Sequence, residues 1–480
     1  MHNPAPHGPV PANSASAPAG PATPTPSAPH PPAATKLPMP TTQPLAGAPN
    51  ATMPTTSRFP ATRKAYTPFV VMAKPTGPIC NLRCSYCYYL DKTSIYERPH
   101  SFKMSGDTLE NYIRSYIEVS PGPAVHFVWH GGEPALAGLA FFRRVVELQQ
   151  RYLPPGLACW NNLQTNGTLI DKKWADFLSA ERFEVGLSVD GTQAAHDANR
   201  QNRKGAGSWA RATRAARLLI ARGLEPDLLC TVNPVTAGDP LGVYNALKDL
   251  GSTFIQFLPV VRRPAGSTRP SAGPVRHSGE ATHPPTGSVD PAAYGHFLNT
   301  IFDEWSAHDL GRVMVQTFGE TMRALSGAVP ALCTMAPTCG RALVLEHDGS
   351  VFSCDHFVDT GHLLGNVNDA SLAELADSPA QRVFGNTKSV LPRKCLECPW
   401  LAACNGGCPK DRLVESPNGE PPLNYLCEGL KIFFQHSVPV MKRILGGEPV
   451  SPQAPPRRPG RNDPCPCGSG KLAKQCCFRL

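Results

Sequence analysis

Between residues 67 and 310 the chain alternates two hydrophobic periods. Short runs at 68–73, 124–129, 158–163, 183–189, 227–232 and 253–258 are apolar or carry apolar residues at alternate positions, and they read as strands. Stretches at 106–119, 138–152, 171–181, 207–222, 239–250 and 291–308 repeat apolar residues three and four apart and read as helices. Strand–helix repetition predicts an α/β fold, a parallel sheet with helices outside. Six units make a partial (β/α)6 barrel, short of the eight that close one. Chemistry in such barrels sits at the C-terminal strand ends.

The pattern stops at several places. Residues 1–66 are mostly Pro, Ala, Thr and Ser and hold about a third of the 53 prolines. Such a segment buries too little surface to offset its ordering entropy, so a disordered tail is expected. Residues 262–290, rich in Arg, Pro, Gly, Ser and His, read as a disordered loop insertion after strand six. From about residue 310 cysteines dominate. Residues 342–347 and 350–354 flank Asp348-Gly349, which predicts a hairpin with a type I′ turn.

Charge narrows the classes of partner. Residues 1–66 carry +4 and residues 451–480 carry +5, which together make the whole formal charge of +9. The body between them is neutral, without the basic patch that a nucleic-acid footprint needs. The N-terminus shows no basic patch followed by an apolar core, and no apolar run approaches the roughly 18 residues of a membrane span. The 17 cysteines fall into short spacings, which favours metal ligation in a reducing cytoplasm over disulfides.

Strand one leads directly into Cys80-x3-Cys84-x2-Cys87. Iron–sulfur clusters are usually held by four thiolates, so three from one loop leave one iron open. A zinc knuckle, the rival reading, would pair its cysteines twice over. Strand two ends in Trp129-His130-Gly131-Gly132-Glu133-Pro134. Paired glycines let backbone approach a ligand closely, and Glu133 can accept a hydrogen bond from an amine. Strand three ends in Gln164-Thr165-Asn166-Gly167, and strand four in Ser188-Val189-Asp190-Gly191, with Arg200 shortly after. With Tyr86 and Tyr88 around Cys87, these segments resemble the radical S-adenosylmethionine (SAM) family. The resemblance implies a [4Fe–4S] cluster on Cys80, Cys84 and Cys87 whose open iron binds SAM. It implies that Gly131, Gly132 and Glu133 contact the SAM amino group, and that Ser188 and Arg200 hold its ribose and carboxylate. Tyr89 and Leu258 match positions lining the SAM and peptide pocket, and residue 130 matches a position more often glutamine. A surface ion pair is the other reading of Arg200.

Further on come Cys333-x5-Cys339-x14-Cys354 and Cys395-x2-Cys398-x5-Cys404-x3-Cys408-x18-Cys427. Eight cysteines fit two four-thiolate clusters, with zinc and the pairing left open by the residues alone. The series resembles the SPASM domain, a cysteine-rich extension of radical SAM enzymes. That resemblance implies interleaved ligation: Cys333, Cys339, Cys354 and Cys408 on one cluster, Cys395, Cys398, Cys404 and Cys427 on the other. Together with Cys354-Asp355-His356-Phe357-Val358, Leu364-Gly365-Asn366, Cys408-Pro409-Lys410-Asp411-Arg412 and Asn424-Tyr425-Leu426-Cys427, residues 67–445 resemble the anaerobic sulfatase-maturating enzymes. Members oxidise a cysteine or serine of a sulfatase peptide to Cα-formylglycine. Asp355 matches the family's proposed catalytic base. The implied partners are an unfolded or nascent sulfatase polypeptide and an electron donor of ferredoxin or flavodoxin type. Two other readings stand beside it: a SPASM peptide maturase making thioether or epimerised products, and a non-catalytic zinc-rich adaptor.

After a Pro/Arg linker at 451–461, Cys465-x-Cys467-x8-Cys476-Cys477 gathers four soft ligands suited to tetrahedral zinc. So short a segment cannot build a core, so the metal would supply its folding energy. It resembles the SEC-C motif, which would tie the chain to Sec export machinery. The expected organisation is a tail (1–66), a radical SAM partial barrel (67–309), a SPASM domain (310–450), a linker and a zinc motif (462–480). Cofactors would be three [4Fe–4S] clusters, SAM and zinc, in a cytoplasmic enzyme. Cys159 and Cys230 remain, within predicted strands, as buried free thiols.

Overall fold

Along Ala158–Thr165 every second side chain is buried, the period of a strand with one face on a core. The same logic builds a ten-stranded sheet in the computed structural model, which describes residues 63–97, 101–262 and 287–447. The tail to residue 62, most of the 262–290 insertion and the zinc motif lie outside the described residues. Strands β1 (Val70–Ala73), β2 (Ala124–Trp129), β3 (Ala158–Thr165), β4 (Glu184–Ser188), β5 (Asp227–Val232) and β6 (Phe254–Pro259) pair in sequence order, all parallel. Helices α1 (Gly106–Val119), α2 (Leu139–Tyr152), α3 (Lys172–Ala180), α4 (Gln193–Asn199), α5 (Trp209–Ile220), α6 (Pro240–Lys248) and α7 (Pro291–His308) connect them. This is the partial barrel of six units that the periods predict.

Local chemistry starts the helices where the periods begin. Ser105, Asp171, Asp239 and Asp290 each accept a hydrogen bond from the first turn of the helix that follows. Proline opens α6 and α7, where its missing N–H costs nothing. Tyr112 and Tyr116 of α1 pack against Phe127 of β2, and Trp129 packs against Phe142 of α2. Cys159 and Cys230 are buried inside β3 and β5.

The sheet does not stop at six strands. A short β7 (Met314–Val315) adds to β6, so the residues just past 309 still belong to the barrel sheet. At the other edge, β8 (Ala342–Leu345) pairs parallel with β1, from Val70↔Ala342 to Ala73↔Leu345. The antiparallel β9 (Ser350–Phe352) and β10 (Leu363–Asn366) continue outward. The cysteine-rich part is therefore an extension of the barrel's own sheet. The turn between β8 and β9 is not type I′, which needs positive φ at two positions. Only Gly349 has it (+90°), while the Asp348 carboxylate accepts from Ser350 N (3.0 Å) and Gly349 N donates to Glu346 O. That is a longer loop ending on a left-handed glycine.

A C-terminal helix, Cys427–Leu445, crosses α7 at close range. A Cβ on Gly429 would lie 1.8 Å from Pro291 O, and one on Gly295 would lie 2.4 Å from Gly429 O. Only two glycines allow that approach, and it fixes Cys427 against the barrel.

Candidate active site

The loop leaving β1 carries Cys80, Cys84 and Cys87, and two neighbours hold it. On one side Gly132 N donates to Gly77 O (2.9 Å) and Glu133 N to Ile79 O (3.0 Å). A Cβ on Gly132 would sit 2.2 Å from Ile79 O, so glycine is the only residue that fits. Gly131, at φ +124°, turns the chain into this contact. On the other side Arg83 N donates to Gln201 O (2.6 Å) and Ser85 N to Asn199 O (3.0 Å), so the segment after α4 grips the loop as well.

Glu133 is fully buried. One carboxylate oxygen accepts from Ala135 N (3.0 Å) and Thr165 Oγ1 (2.7 Å), the other from Asn166 N (2.8 Å). It ties the end of β2 to the end of β3, and an amine contact would share oxygens already engaged. Burial pushes its carboxyl up and these donors pull it back.

Cys80 Sγ accepts from Leu82 N (3.3 Å) and Asn166 Nδ2 (3.7 Å). Burial pushes its thiol up to about 12 and that of Cys84 up to about 11. Thiolates so placed need a nearby cation, which cluster iron would supply. Among the described residues no three His, Cys, Asp or Glu side chains converge closely enough to hold a single ion. Three thiols on one loop, with Cys80 Sγ accepting two hydrogen bonds, suit an iron–sulfur cube better than a single ion.

Ser188 ends β4, half-buried, and accepts from Gln164 Nε2 (3.2 Å). Arg200 is not on the surface. It is buried and donates through Nε and Nη2 to both oxygens of buried Asp190, at 2.9 and 3.1 Å. The Tyr86 hydroxyl donates to the same carboxylate, and the guanidinium lies 5.4 Å from the Tyr86 ring centre. Burial would raise the Asp190 carboxyl, but the Arg200 charge outweighs it and holds the group low. Arg200 also acts on the thiols of Cys84 and Cys87. Leu258, on β6, keeps 39 % of its surface exposed.

The pairing of β8 with β1 brings in the second half of the site. Lys74 N donates to Leu345 O (2.8 Å), and the buried Lys74 ammonium donates to Asp355, just past β9. The Tyr88 hydroxyl donates to the other Asp355 oxygen while 47 % of that residue stays exposed. Lys74 Nζ also lies 3.5 Å from the Tyr89 ring centre, and the Tyr89 hydroxyl donates to Glu346. Burial would raise the Asp355 carboxyl; the Lys74 ammonium outweighs it and leaves the group well below the usual carboxylate range. His130 accepts from Gly131 N through Nδ1 (2.7 Å), so its proton sits on Nε2. Burial, with help from Lys74, pulls it down to about 4, and it is neutral at pH 7. Lys74 acts on Cys87 too, which links the three-cysteine loop to Asp355.

The remaining cysteines fall into two groups. Cys395, Cys398, Cys404 and Cys427 line one pocket, with Trp400 and Phe434. Cys408 and Cys333 act on the Cys354 thiol, and Cys333 acts on those of Cys408 and Cys339. Cys465, Cys467, Cys476 and Cys477 lie outside the described residues.

Comparison with known proteins matches this arrangement. The family model of the Radical SAM superfamily matches residues 75–240, that of the SPASM iron–sulfur cluster-binding domain residues 333–399, and the SEC-C motif residues 461–479. The serine-type anaerobic sulfatase-maturating enzyme of Bacteroides thetaiotaomicron is 41 % identical over 394 residues, 81 % of this chain and 94 % of that protein. The chain belongs to the anaerobic sulfatase-maturating enzymes. The cysteine-type enzyme of Clostridium perfringens is 32 % identical, over 78 % of this chain and 97 % of its own. A solved structure described as native anSMEcpe with bound AdoMet and Cp18Cys peptide superposes with a TM-score of 0.69 at 32 % identity, over 79 % of this chain and 100 % of that one. This sulfatase-maturating chain is therefore a radical SAM oxidoreductase that uses SAM and iron–sulfur clusters. No helix among the described residues is long and apolar enough to cross a membrane.

Sequence reasoning missed Lys74, Tyr88 and Asp190 as members of the maturase site. Lys74 had a signal: a lysine directly after the apolar run of strand one sits at the barrel's chemical end. Asp190 also follows a strand, but nothing local shows that Arg200 folds back onto it.

Proposed function

We propose that this protein oxidises a cysteine or serine in an unfolded or nascent sulfatase peptide to Cα-formylglycine. The observation that carries the proposal is Asp355, held ionised by Lys74 and Tyr88 and connected through Lys74 to the three-cysteine loop. The names of the relatives, serine-type and cysteine-type sulfatase-maturating enzymes, support it. In this reading Cys80, Cys84 and Cys87 hold one cluster. Cys333, Cys339, Cys354 and Cys408 hold a second, and Cys395, Cys398, Cys404 and Cys427 a third. SAM bound at the first cluster supplies a radical able to take a hydrogen atom from an unactivated carbon, which no side-chain acid or base can do. Gly131, Gly132, Glu133, Ser188, Arg200, Tyr89 and Leu258 shape its site, Glu133 and Arg200 by fixing the strand ends around it. Asp355 is the base.

The peptide loses a hydrogen atom from Cβ, a proton from its thiol or hydroxyl, and one electron, leaving a thioaldehyde or aldehyde. Asp355 takes the proton. A carboxylate of low pKa is a weak base, and a thiol or hydroxyl on a carbon that has lost hydrogen is more acidic than its parent, which narrows the gap the proton must cross. Tyr88 stays part exposed beside Asp355, and neutral His130 adds no charge near it. Water then hydrolyses a thioaldehyde to the aldehyde, releasing hydrogen sulfide.

Residues 67–309 carry the radical chemistry and 310–450 the auxiliary clusters. The four cysteines of 462–480 hold zinc and form a docking module toward the Sec machinery. A ferredoxin- or flavodoxin-type protein supplies reducing electrons in the cytoplasm. The test is mass spectrometry of a Cys-x-Pro-x-Arg peptide and its serine version after incubation with SAM and reductant. Replacement of sulfur by oxygen with loss of two hydrogens, or loss of two hydrogens from serine, is expected. A thioether or an unchanged mass would overturn the reading.

A further inference from the structure

Two cations lie buried beside the eight cysteines of residues 333–427, and among the described residues neither pairs with a carboxylate. Lys388 is fully buried and Arg412 is 9 % exposed. Lys388 Nζ donates to Thr334 O and Asn405 O, both at 3.2 Å. Thr334 follows Cys333 of one thiol group, and Asn405 follows Cys404 of the other. Arg412 donates through Nε to Gly406 O (3.3 Å), through Nη2 to Lys388 O (2.6 Å), and through Nη1 to Val390 O (2.9 Å) and Thr387 O (3.4 Å). All of these acceptors are neutral main-chain carbonyls.

Their electrostatic surroundings are equally specific. The charges that act on Arg412 come from Cys395, Cys408, Cys339 and Cys404, two thiols from each group. Those that act on Lys388 are Arg412 itself, which repels it, and Cys339, Cys408 and Cys404, which favour it. Burial pushes the Lys388 ammonium down, and the thiols pull it back. Two like charges in a low-dielectric interior are costly unless negative charge lies against them. Neutral carbonyls do not supply it. Two four-thiolate clusters do, because each is net negative and becomes more so on reduction.

We propose that Lys388 and Arg412 are shared counter-charges of the two auxiliary iron–sulfur clusters, stabilising their reduced states and raising both reduction potentials together. The proposal rests on the two-cluster reading given above. A cation favours whichever state of a neighbour carries more negative charge, so removing it lowers the potential. Because Lys388 bonds to the chain next to a ligand of each group, its charge does not single out one cluster. The pair thereby moves both clusters in the same direction as acceptors for the one electron that peptide oxidation releases.

The test is a potentiometric titration followed by electron paramagnetic resonance on the full chain with Cys80, Cys84 and Cys87 changed to alanine, so that only the auxiliary clusters report. Iron and sulfide are counted in every sample. Lys388→Gln and Arg412→Gln are expected to move both midpoints to more negative potential at unchanged iron content, and Lys388→Arg to stay at the wild-type value. If the glutamine variants lose iron while Lys388→Arg keeps it, the positive charge is needed to hold the clusters, which supports the same assignment. Loaded glutamine variants with wild-type midpoints would overturn the proposal alone, as would a Lys388→Arg variant that loses iron like the others. Absence of iron in the parent triple variant would overturn the two-cluster reading and this proposal with it.

Discussion

A carboxylate that accepts from an ammonium and a phenol at once stays ionised, and Asp355 is such a group. Asp355→Asn keeps the shape and removes the proton acceptor. The variant is expected to cleave SAM to 5′-deoxyadenosine while peptide oxidation falls by roughly 10²–10⁴-fold, the usual contribution of a general base. Chromatography of 5′-deoxyadenosine beside peptide mass separates the two steps; undiminished peptide oxidation would remove Asp355 from the chemistry. Lys74→Met strands the Asp355 charge in the interior, which typically costs about 3–5 kcal/mol. Adding Asp355→Asn to it should restore part of that loss, read as the denaturation midpoint of the double variant against the single one. At this scale the cysteines stand out by their spacing, and Asp355 only through the family resemblance of the segment around it. Lys74 and Tyr88 carry no such mark, because what singles them out is a contact with Asp355, about 270 positions away.

Elements were legible where their signal is local. Six strands and six helices lie within a few residues of their predicted places, since alternation, N-caps and prolines are read directly from neighbours in the chain. The parallel pairing of β8 with β1 leaves no local trace: β8 is short, buried and four residues long. The same holds for the glycine crossing of α7 and the C-terminal helix, where only the partner explains the residue. Contact between the Gly131-Gly132-Glu133 segment and the three-cysteine loop gives an element-scale prediction. Gly132→Ala places a Cβ where Ile79 O now lies, and backbone cannot swing aside as a side chain can. The loop must shift, at a cost of about 1–3 kcal/mol typical of overpacking. The expected result is loss of the iron held by Cys80, Cys84 and Cys87 and of 5′-deoxyadenosine production, with auxiliary clusters and helical circular dichroism retained. A variant with full iron content and SAM cleavage would show that the clamp is not needed.

The interior holds His130 and His196 neutral, and that costs the fold stability in acid. His196 accepts from Asp190 N through Nδ1 (3.2 Å), which leaves the Nε2 proton for Ser208 Oγ (2.9 Å). Burial, with Arg200 nearby, pulls its imidazolium down to about 4, as it does for His130. A folded pKa below the ordinary 6.5 means that the unfolded chain binds more protons between those values. Stability therefore rises with pH across that window and is lost as pH falls from about 6.5 toward 4, by up to a few kcal/mol for each histidine. Denaturant midpoints measured from pH 7 to pH 4.5 should fall, and less steeply in His196→Gln; an equal slope in that variant would exclude His196 as a source.

The zinc motif sits at the far end of a Pro/Arg linker, and its sequence suggests a separable task. In the reading proposed above, Cys465, Cys467, Cys476 and Cys477 would hold zinc, whereas the proposed catalytic groups lie between Lys74 and Cys427 in the sequence. Removing residues 462–480 should therefore subtract bound zinc but leave peptide oxidation by the purified enzyme unchanged. A nascent client must be reached before it folds, so a docking role would appear only where synthesis and export compete with modification. In cells the truncated enzyme is expected to convert a smaller fraction of an exported sulfatase, and an artificial tether to the translocation site should restore it. Equal conversion by the full and truncated enzymes would leave the motif without a part in client capture, while a loss of activity on free peptide would place it in the catalytic unit.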